Sequence, residues 1–415
     1  MQIRSVQAFL LSSPLAEPLV LPYHGGERTI IKRDAMLICV EGEHGLKGYA
    51  PGPAHEEALA GIRDFIAPFL VGRSLLDPDV LRILFHQQPG VTRALSRYYD
   101  AVEIALFDLT ACSYDVPVCD LLGGRVRDEI RLYASAGMYQ SPQGYADEAA
   151  QLAAHGFSAY KLRPALGPEA DLETIRRIRE ATGPGFEIMV DAHTWWRMGD
   201  QSYSEETIYR LAREMGRLQV TWLEEPLPPQ DHAAYGRLKD LDEIPLASGE
   251  HEPDEAGFDD LIATRCVDYV QADLVCQGGY NLGRRLLASL ARAGLSFAFH
   301  SWGTNLEILA AAHLGVCWPD TVVPWLEYPC YRSITQPGMY PFPLAEEILA
   351  EPLPIRKGVL ELDLTRPGFG IDVNPSVVDR FPWIPGPWSF FRFNSPAETW
   401  AVSGDHSQRW SSAGA

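Results

Sequence analysis

From residue 130 onward the chain alternates. Short β-prone apolar runs are each followed by a stretch with helical spacing: IRLYASA, then 142–155; SAYKLR, then 171–181; EIMVDA, then 204–217; VTWLEEP, then 229–240; IPLASGE, then 254–264; YVQADL, then 279–293; LSFAFH, then 304–315; and last VPWLEYP. Eight strands separated by seven helices argue for a parallel α/β fold, and eight units point to a closed barrel. The competing architecture is a doubly wound sheet, but its phosphate-binding glycine turn is not seen after the early strands. GGYNLG at 278–283 lacks the G-x-G-x-x-G spacing and reads as a turn and helix start.

The flanks differ in character. IRSVQAFLL and AMLICVEGEHGLKGYA read as antiparallel strands joined by a polar loop, PYHGGERT. Residues 55–122 read as helical, with Val102, Ala105, Leu106 and Leu109 at helical spacing, and VPVCDLLGG ends this part at a glycine pair. Residues 345–380 return to short strands and turns. The tail from 381, rich in Trp, Phe, Pro and Ser, reads as a surface or oligomer wrap or a partly disordered end. The expected division is 1–128, 129–345 and 346–415.

With 415 residues and 46% hydrophobic content the chain can bury a sizeable core. Its 55 acidic against 35 basic residues, net −20, argue against binding nucleic acid or an anionic membrane surface. An acidic protein still binds an acidic small molecule if a metal supplies local positive charge. Seven scattered cysteines without a CxxC pair fit buried free thiols in a reducing compartment. MQIRSVQAFLLSSPL reads as a first strand, not a signal peptide, and no apolar run approaches spanning length. A cytoplasmic location is the expectation.

In a β/α barrel the C-terminal strand ends share one mouth. Here they read Lys161-Leu162-Arg163, Asp191-Ala192-His193, Glu224-Glu225-Pro226, Gly249-Glu250-His251, Asp273, His300 and Glu327. Each has a plain alternative on its own: a helix cap for Asp191, a helix-start carboxylate for Glu224 or Glu225, a surface residue for Glu250, a core histidine for His300. Gathered at one end, the carboxylates repel and need a cation. Asp191, Glu224 and Glu250 come from three consecutive strands, and hard oxygen ligands suit Mg²⁺.

These motifs resemble the enolase superfamily, its mandelate racemase-like branch, and within it the acid-sugar dehydratases. The resemblance rests on VPVCDLLGG, the K-x-R pair on the second strand, D-A-H on the third, W-L-E-E-P, S-G-E-H-E, QADLVCQGG, the late His300 and the closing PGFGIDV. Glu224 and Glu250 stand 26 residues apart and Asp273 and His300 27, as the resemblance implies for consecutive strand ends. The 33 residues from Asp191 to Glu224 are more than it implies, and the excess falls in TWWRMGDQSYS. The implied fold is a modified (β/α)7β TIM-type barrel whose α+β capping domain is built from the N-terminal segment and completed by the C-terminal one. The implied roles are Asp191, Glu224 and Glu250 as Mg²⁺ ligands, Asp273 and His300 as a dyad, and Glu327 as a hydrogen-bond partner of the substrate carboxylate. A homo-oligomer (dimer, tetramer or octamer) is the expected assembly.

The resemblance implies a Mg²⁺-dependent dehydratase of a sugar acid. His300 removes the proton beside the carboxylate, Lys161 and Glu327 stabilise the enediolate, and loss of the 3-hydroxyl gives a 2-keto-3-deoxy acid. Two positions depart from the racemase pattern. Arg163 stands where racemases carry a second lysine, and arginine is a poor base; it reads as a substrate-binding cation or an ion-pair partner of the metal carboxylates. His193 stands where many members have Asn, and reads as the general acid or as a hydrogen-bond donor to a metal carboxylate. Tyr23 and His24, beside Gly25 and Gly26 in PYHGGERT, are candidate substrate-binding residues in a flexing loop, or plain turn residues. Trp195 and Trp196 wall the cavity or meet a neighbouring subunit. The alternatives are a racemase or epimerase of a 2-hydroxy acid, and a non-catalytic binding protein.

Overall fold

A computed structural model describes residues 1–330, 342–394, 398–403 and 406–411; the last four residues of the tail lie outside the described residues. Eight strands form the barrel: β4 (Glu129–Met138), β5 (Ala159–Arg163), β6 (Glu187–Asp191), β7 (Trp222–Glu224), β8 (Leu246–Ser248), β9 (Tyr269–Ala272), β10 (Ser296–Phe299) and β11 (Leu326–Pro329). Strands β4 to β10 follow one another as parallel neighbours, and β11 pairs in parallel with β4. Phe297 N in β10 donates to Val322 O, just ahead of β11, at 2.7 Å, so β11 lies between β10 and β4 and the barrel is closed.

The connecting helices are amphipathic in the expected way. Glu205–Arg217 buries Ile208, Leu211, Ala212 and Met215, one stripe at helical spacing. Its first turn is held by Ser204 Oγ, which accepts from Thr207 N at 3.2 Å.

Period-two alternation sorts the barrel interior into layers. The lower layer takes one residue from each strand or its foot: Tyr133, Ala159, Met189, Trp222, Ala247, Tyr269, Ala298 and Trp325. They pack together as an apolar cluster apart from the main core. Two residues further along every strand stand Ser135, Lys161, Asp191, Glu224, Gly249, Gln271, His300 and Glu327. The barrel is therefore plugged with hydrocarbon below and polar above. The seven non-glycine residues of the upper layer face one central volume.

Outside the barrel, β1 (Ser5–Tyr23), β2 (Gly26–Glu41) and β3 (Lys47–Gly52) form an antiparallel sheet. The expected PYHGGERT loop is mostly strand: β1 and β2 run on to a turn at His24 and Gly25. Pro14, Pro18 and Pro22 sit on β1, an edge strand, where a missing N–H costs no ladder bond. The run AMLICVEGEHGLKGYA is likewise two strands, β2 and β3, broken at Glu43–Gly45.

The C-terminal segment is shared between both bodies. It supplies β12 (Ile355–Arg356) and β13 (Val359–Glu361), the latter antiparallel to β4, and then β14 (Ser389–Phe393), which pairs with β2. Helix Arg93–Tyr114 of the cap crosses β3 at Gly48, where a Cβ would meet Ala105 O at 2.2 Å. Asp108 on this helix accepts from Tyr49 N (2.8 Å) and Phe369 N (3.1 Å), tying β3 to the PGFG turn. Cys39, Cys112, Cys119, Cys266 and Cys317 are free thiols. No described helix is long and apolar enough to cross a membrane.

Candidate active site

Lys161 is fully buried, and its ammonium lies 2.8 Å from Glu224 Oε1 and 3.0 Å from Glu327 Oε1. Burial pulls this ammonium down, but the two carboxylates overcome it and hold it well above the ordinary lysine value. Glu224 Oε2 accepts from Trp222 Nε1 at 3.0 Å, so the lower layer props up the upper one. Burial pushes the Glu224 carboxyl up to about 8 against the pull of Lys161, and the charges of Asp191 and Glu250 add to the rise. Glu327 Oε2 accepts from Ser301 N at 2.9 Å.

Across the same mouth, His300 Nδ1 lies 3.0 Å from Asp273 Oδ2. Asp273 begins the short helix after β9, where its Oδ1 accepts from Val275 N (2.7 Å) and Cys276 N (2.9 Å). The helix start fixes the carboxylate and leaves Oδ2 for the imidazole. His300 Nε2 points to Glu250 Oε2 at 3.5 Å. Burial alone would lower His300, yet Glu250 and the Asp273 hydrogen bond hold it well above its ordinary value. Glu250, raised by burial, is brought down to about 2 by His300 and His251.

The expected meeting of Asp191 and His193 is observed, with Nδ1 2.7 Å from Asp191 Oδ1. Burial holds His193 below its ordinary value against the pull of Asp191. Arg163 Nε lies 2.8 Å from the other oxygen of Asp191, its Nη1 donates to Ser135 Oγ at 3.3 Å, and its guanidinium lies 4.3 Å from the Trp302 ring. The ion pair expected of Arg163 is thus made with Asp191.

Neither Tyr23 nor His24 lines the cavity that holds His300. The Tyr23 ring packs 5.1 Å from Tyr139, and His24 N donates to Ala165 O at 2.7 Å. The turn between them and β2 is pinned: Asn394 N donates to Gly25 O at 3.0 Å, and a Cβ on Gly25 would meet Met198 at 2.6 Å. These glycines serve close approach here. The cap instead lines a cavity of about 830 Å³ with Arg33, Asp34 and His55, opposite Glu250, Asp273 and His300. Those three cap residues carry no strand-end signal and were not singled out from the sequence.

The TWWRMGD insertion lies against the site. Trp195 is fully buried and donates to Pro164 O at 3.1 Å; Trp196 donates to Glu225 O at 3.1 Å. Arg197 Nη2 lies 3.0 Å from His251 Nε2, while His251 Nδ1 lies 2.6 Å from Glu225 Oε2.

Two donor sets suit a divalent ion. Glu225, Glu250 and His251 bring one ligand atom each within 4.8 Å of one another. Both His251 nitrogens are already engaged there, by Glu225 and Arg197, so this group reads as a hydrogen-bonded network. The carboxylates of Asp191, Glu224 and Glu250 fit better: the first two are buried and the third side chain is 6% exposed, all are hard donors, and Glu250 Oε2 accepts no hydrogen bond in the structure.

Fold and site together define an enolase-type enzyme. The chain matches the family model of the mandelate racemase / muconate lactonizing enzyme N-terminal domain over residues 10–123, and that of the enolase C-terminal domain-like family over 144–377. It belongs to the enolase superfamily, in the mandelate racemase-like branch. D-galactarolactone cycloisomerase of Agrobacterium fabrum is 26% identical over 92% of this chain and 99% of its own length. L-rhamnonate dehydratase of Saccharopolyspora erythraea is 30% identical over 84% of this chain and 85% of its own. The crystal structure of 3,6-anhydro-D-galactonate cycloisomerase from Zobellia galactanivorans superposes with a TM-score of 0.76, at 26% identity, covering 92% of this chain and 99% of that one.

Proposed function

We propose that this enzyme is a Mg²⁺-dependent hydro-lyase of a sugar acid, forming a 2-keto-3-deoxy acid. The observation that carries the reading is the asymmetry of the mouth. One face presents the His300–Asp273 dyad, while the facing cation, Arg163, is tied to Asp191 and is no base. Asp191, Glu224 and Glu250 would hold the ion. When bound, it supplies positive charge against the substrate's carboxylate oxygens and offsets the Glu250 charge that otherwise keeps His300 protonated.

The chain's own groups do the rest. His300 Nε2 takes the proton beside the carboxylate, with Asp273 fixing the tautomer through Nδ1. Lys161 places a buried ammonium where charge develops on the enediolate oxygens, and Glu327 lies beside it. His193 returns a proton to the departing 3-hydroxyl from Nε2, its Nδ1 being held by Asp191; the Asp191 charge must keep that proton on the ring against burial.

A second reading is favoured by the full-length match to a cycloisomerase. The same deprotonation then expels a ring oxygen, and the product keeps the mass of the substrate. A screen of mono- and diacid sugars and their lactones with Mg²⁺, read by 2-keto acid formation and product mass, separates the two. Loss of one water supports the hydro-lyase; full turnover after removal of all divalent metal would sink both.

A further inference from the structure

The mechanism leaves one residue of the upper barrel layer unused. Gln271, on β9, is fully buried, and neither its Nε2 nor its Oε1 makes a hydrogen bond in the structure. A buried amide with both atoms unmet is costly, and native proteins keep such a group rarely and for a reason. Its neighbours in the layer are His300 on one side and Gly249 on the other. Gly249 has no side chain, and a Cβ there would meet Gln271 O at 2.2 Å. On the next strand, β7, the inward residue is Glu224, whose ladder partner on β8 is Ala247, two residues before Gly249. Between the Gln271 amide and that carboxylate, β8 therefore offers only the bare Gly249 and, one step below, the methyl of Ala247. A neutral donor–acceptor pair in this place can serve an oxygen cluster without adding charge to it.

We infer that Gln271 is a positioning residue for the cation site. Its amide supports Glu224 across Gly249 through a shared buried water, and so sets the affinity for the ion without touching substrate. The inference rests on the reading of Glu224 as a metal ligand. It extends that reading below the mouth, because Gln271 lies outside the cavity that holds His300. A buried water needs several polar partners, and Gln271 and Glu224 together supply them.

The test uses metal-free full-length protein, Mg²⁺ calorimetry and thermal melts on wild type, Glu224→Gln and Gln271→Met. Met conserves the volume and removes both polar atoms. The expected result is that Gln271→Met melts at or above wild type while its Kd for Mg²⁺ rises about 10–100-fold, the usual effect of losing a group that orients a ligand. A merely structural amide would change the melt and leave Kd alone. A Kd within about twofold of wild type, with binding abolished in Glu224→Gln, overturns the inference and leaves the ligand assignment standing. Undiminished binding in Glu224→Gln overturns the ligand assignment itself, and the inference with it. Should Gln271→Met fail to fold, Gln271→Asn carries the test: its amide is drawn back by one methylene, a rise of about tenfold in Kd is expected, and an unchanged Kd overturns the inference.

Discussion

Arg163 Nε stands 2.8 Å from Asp191 Oδ2, with both side chains buried. A lysine in that place could lose its proton and act as a base. A guanidinium paired with a carboxylate holds its charge and its position. The pair thus removes one of the two bases that a racemase needs. It also keeps Asp191 compensated whenever no ion is bound. Replacing Arg163 with Met should destabilise the metal-free protein by about 3–5 kcal/mol, because it strands a buried charge. Saturating Mg²⁺ should shrink that loss, since the ion takes over the compensation. Denaturant melts with and without Mg²⁺ measure both; an equal loss in the two would contradict the arrangement.

His300→Asn should lower kcat by about 10²–10⁴-fold while Mg²⁺ affinity stays near wild type. Exchange of the C2 proton with deuterated solvent should vanish along with elimination, because the same atom performs the first step. Persistent exchange in this variant would show that another group is the base.

His193→Asn should separate the two halves of the reaction. With His300 and Asp273 untouched, C2 exchange continues in deuterated water, and loss of the 3-hydroxyl stops. NMR of the substrate reads the exchange and a 2-keto acid assay reads the elimination. Near-normal dehydration would remove His193 from its acid role and return it to holding Asp191.

Asp108 connects pH to stability far from the chemistry. Burial lifts its carboxyl from the ordinary 3.8 to about 7, against the two backbone N–H groups it accepts. The folded state therefore holds a proton that the unfolded chain has released. The stabilisation is complete below about pH 4 and is lost as pH rises through about 7. Asp108→Asn should flatten that slope and cost about 1–3 kcal/mol, because its amide turns a donor toward a backbone N–H. Melting temperatures between pH 5 and 8 would show whether the slope disappears.

Much of the site was legible because of arithmetic on short strands. Alternation of period two puts one inward residue per strand at the same height, so Lys161, Asp191, Glu224, His300 and Glu327 announce themselves as ionisable groups closing apolar runs. The Glu225–His251–Arg197 network was not legible. Glu225 stands just past β7 at φ 41°, and which way a side chain points after such a kink is not encoded in spacing. Gln271 was passed over because a neutral amide inside a strand carries no charge signal. The cap was misread at PYHGGERT, where a proline–glycine cluster looks like a loop and edge-strand geometry makes it a hairpin.

Strand β14 pairs with β2, and Arg28 on β2 donates through Nε to Ser389 Oγ at 3.0 Å across 361 positions of sequence. The cap sheet is therefore completed only after a segment 361 positions downstream has been made. The barrel strands emerge in order and can dock on their neighbours as they appear, whereas the stretch of β2 from Gly26 to Ile30 keeps its ladder edge unsatisfied until β14 has left the ribosome. Long-range pairings of this kind form slowly and leave an exposed edge in the meantime. For this molecule the vulnerable interval is the one between finishing the barrel and receiving β14.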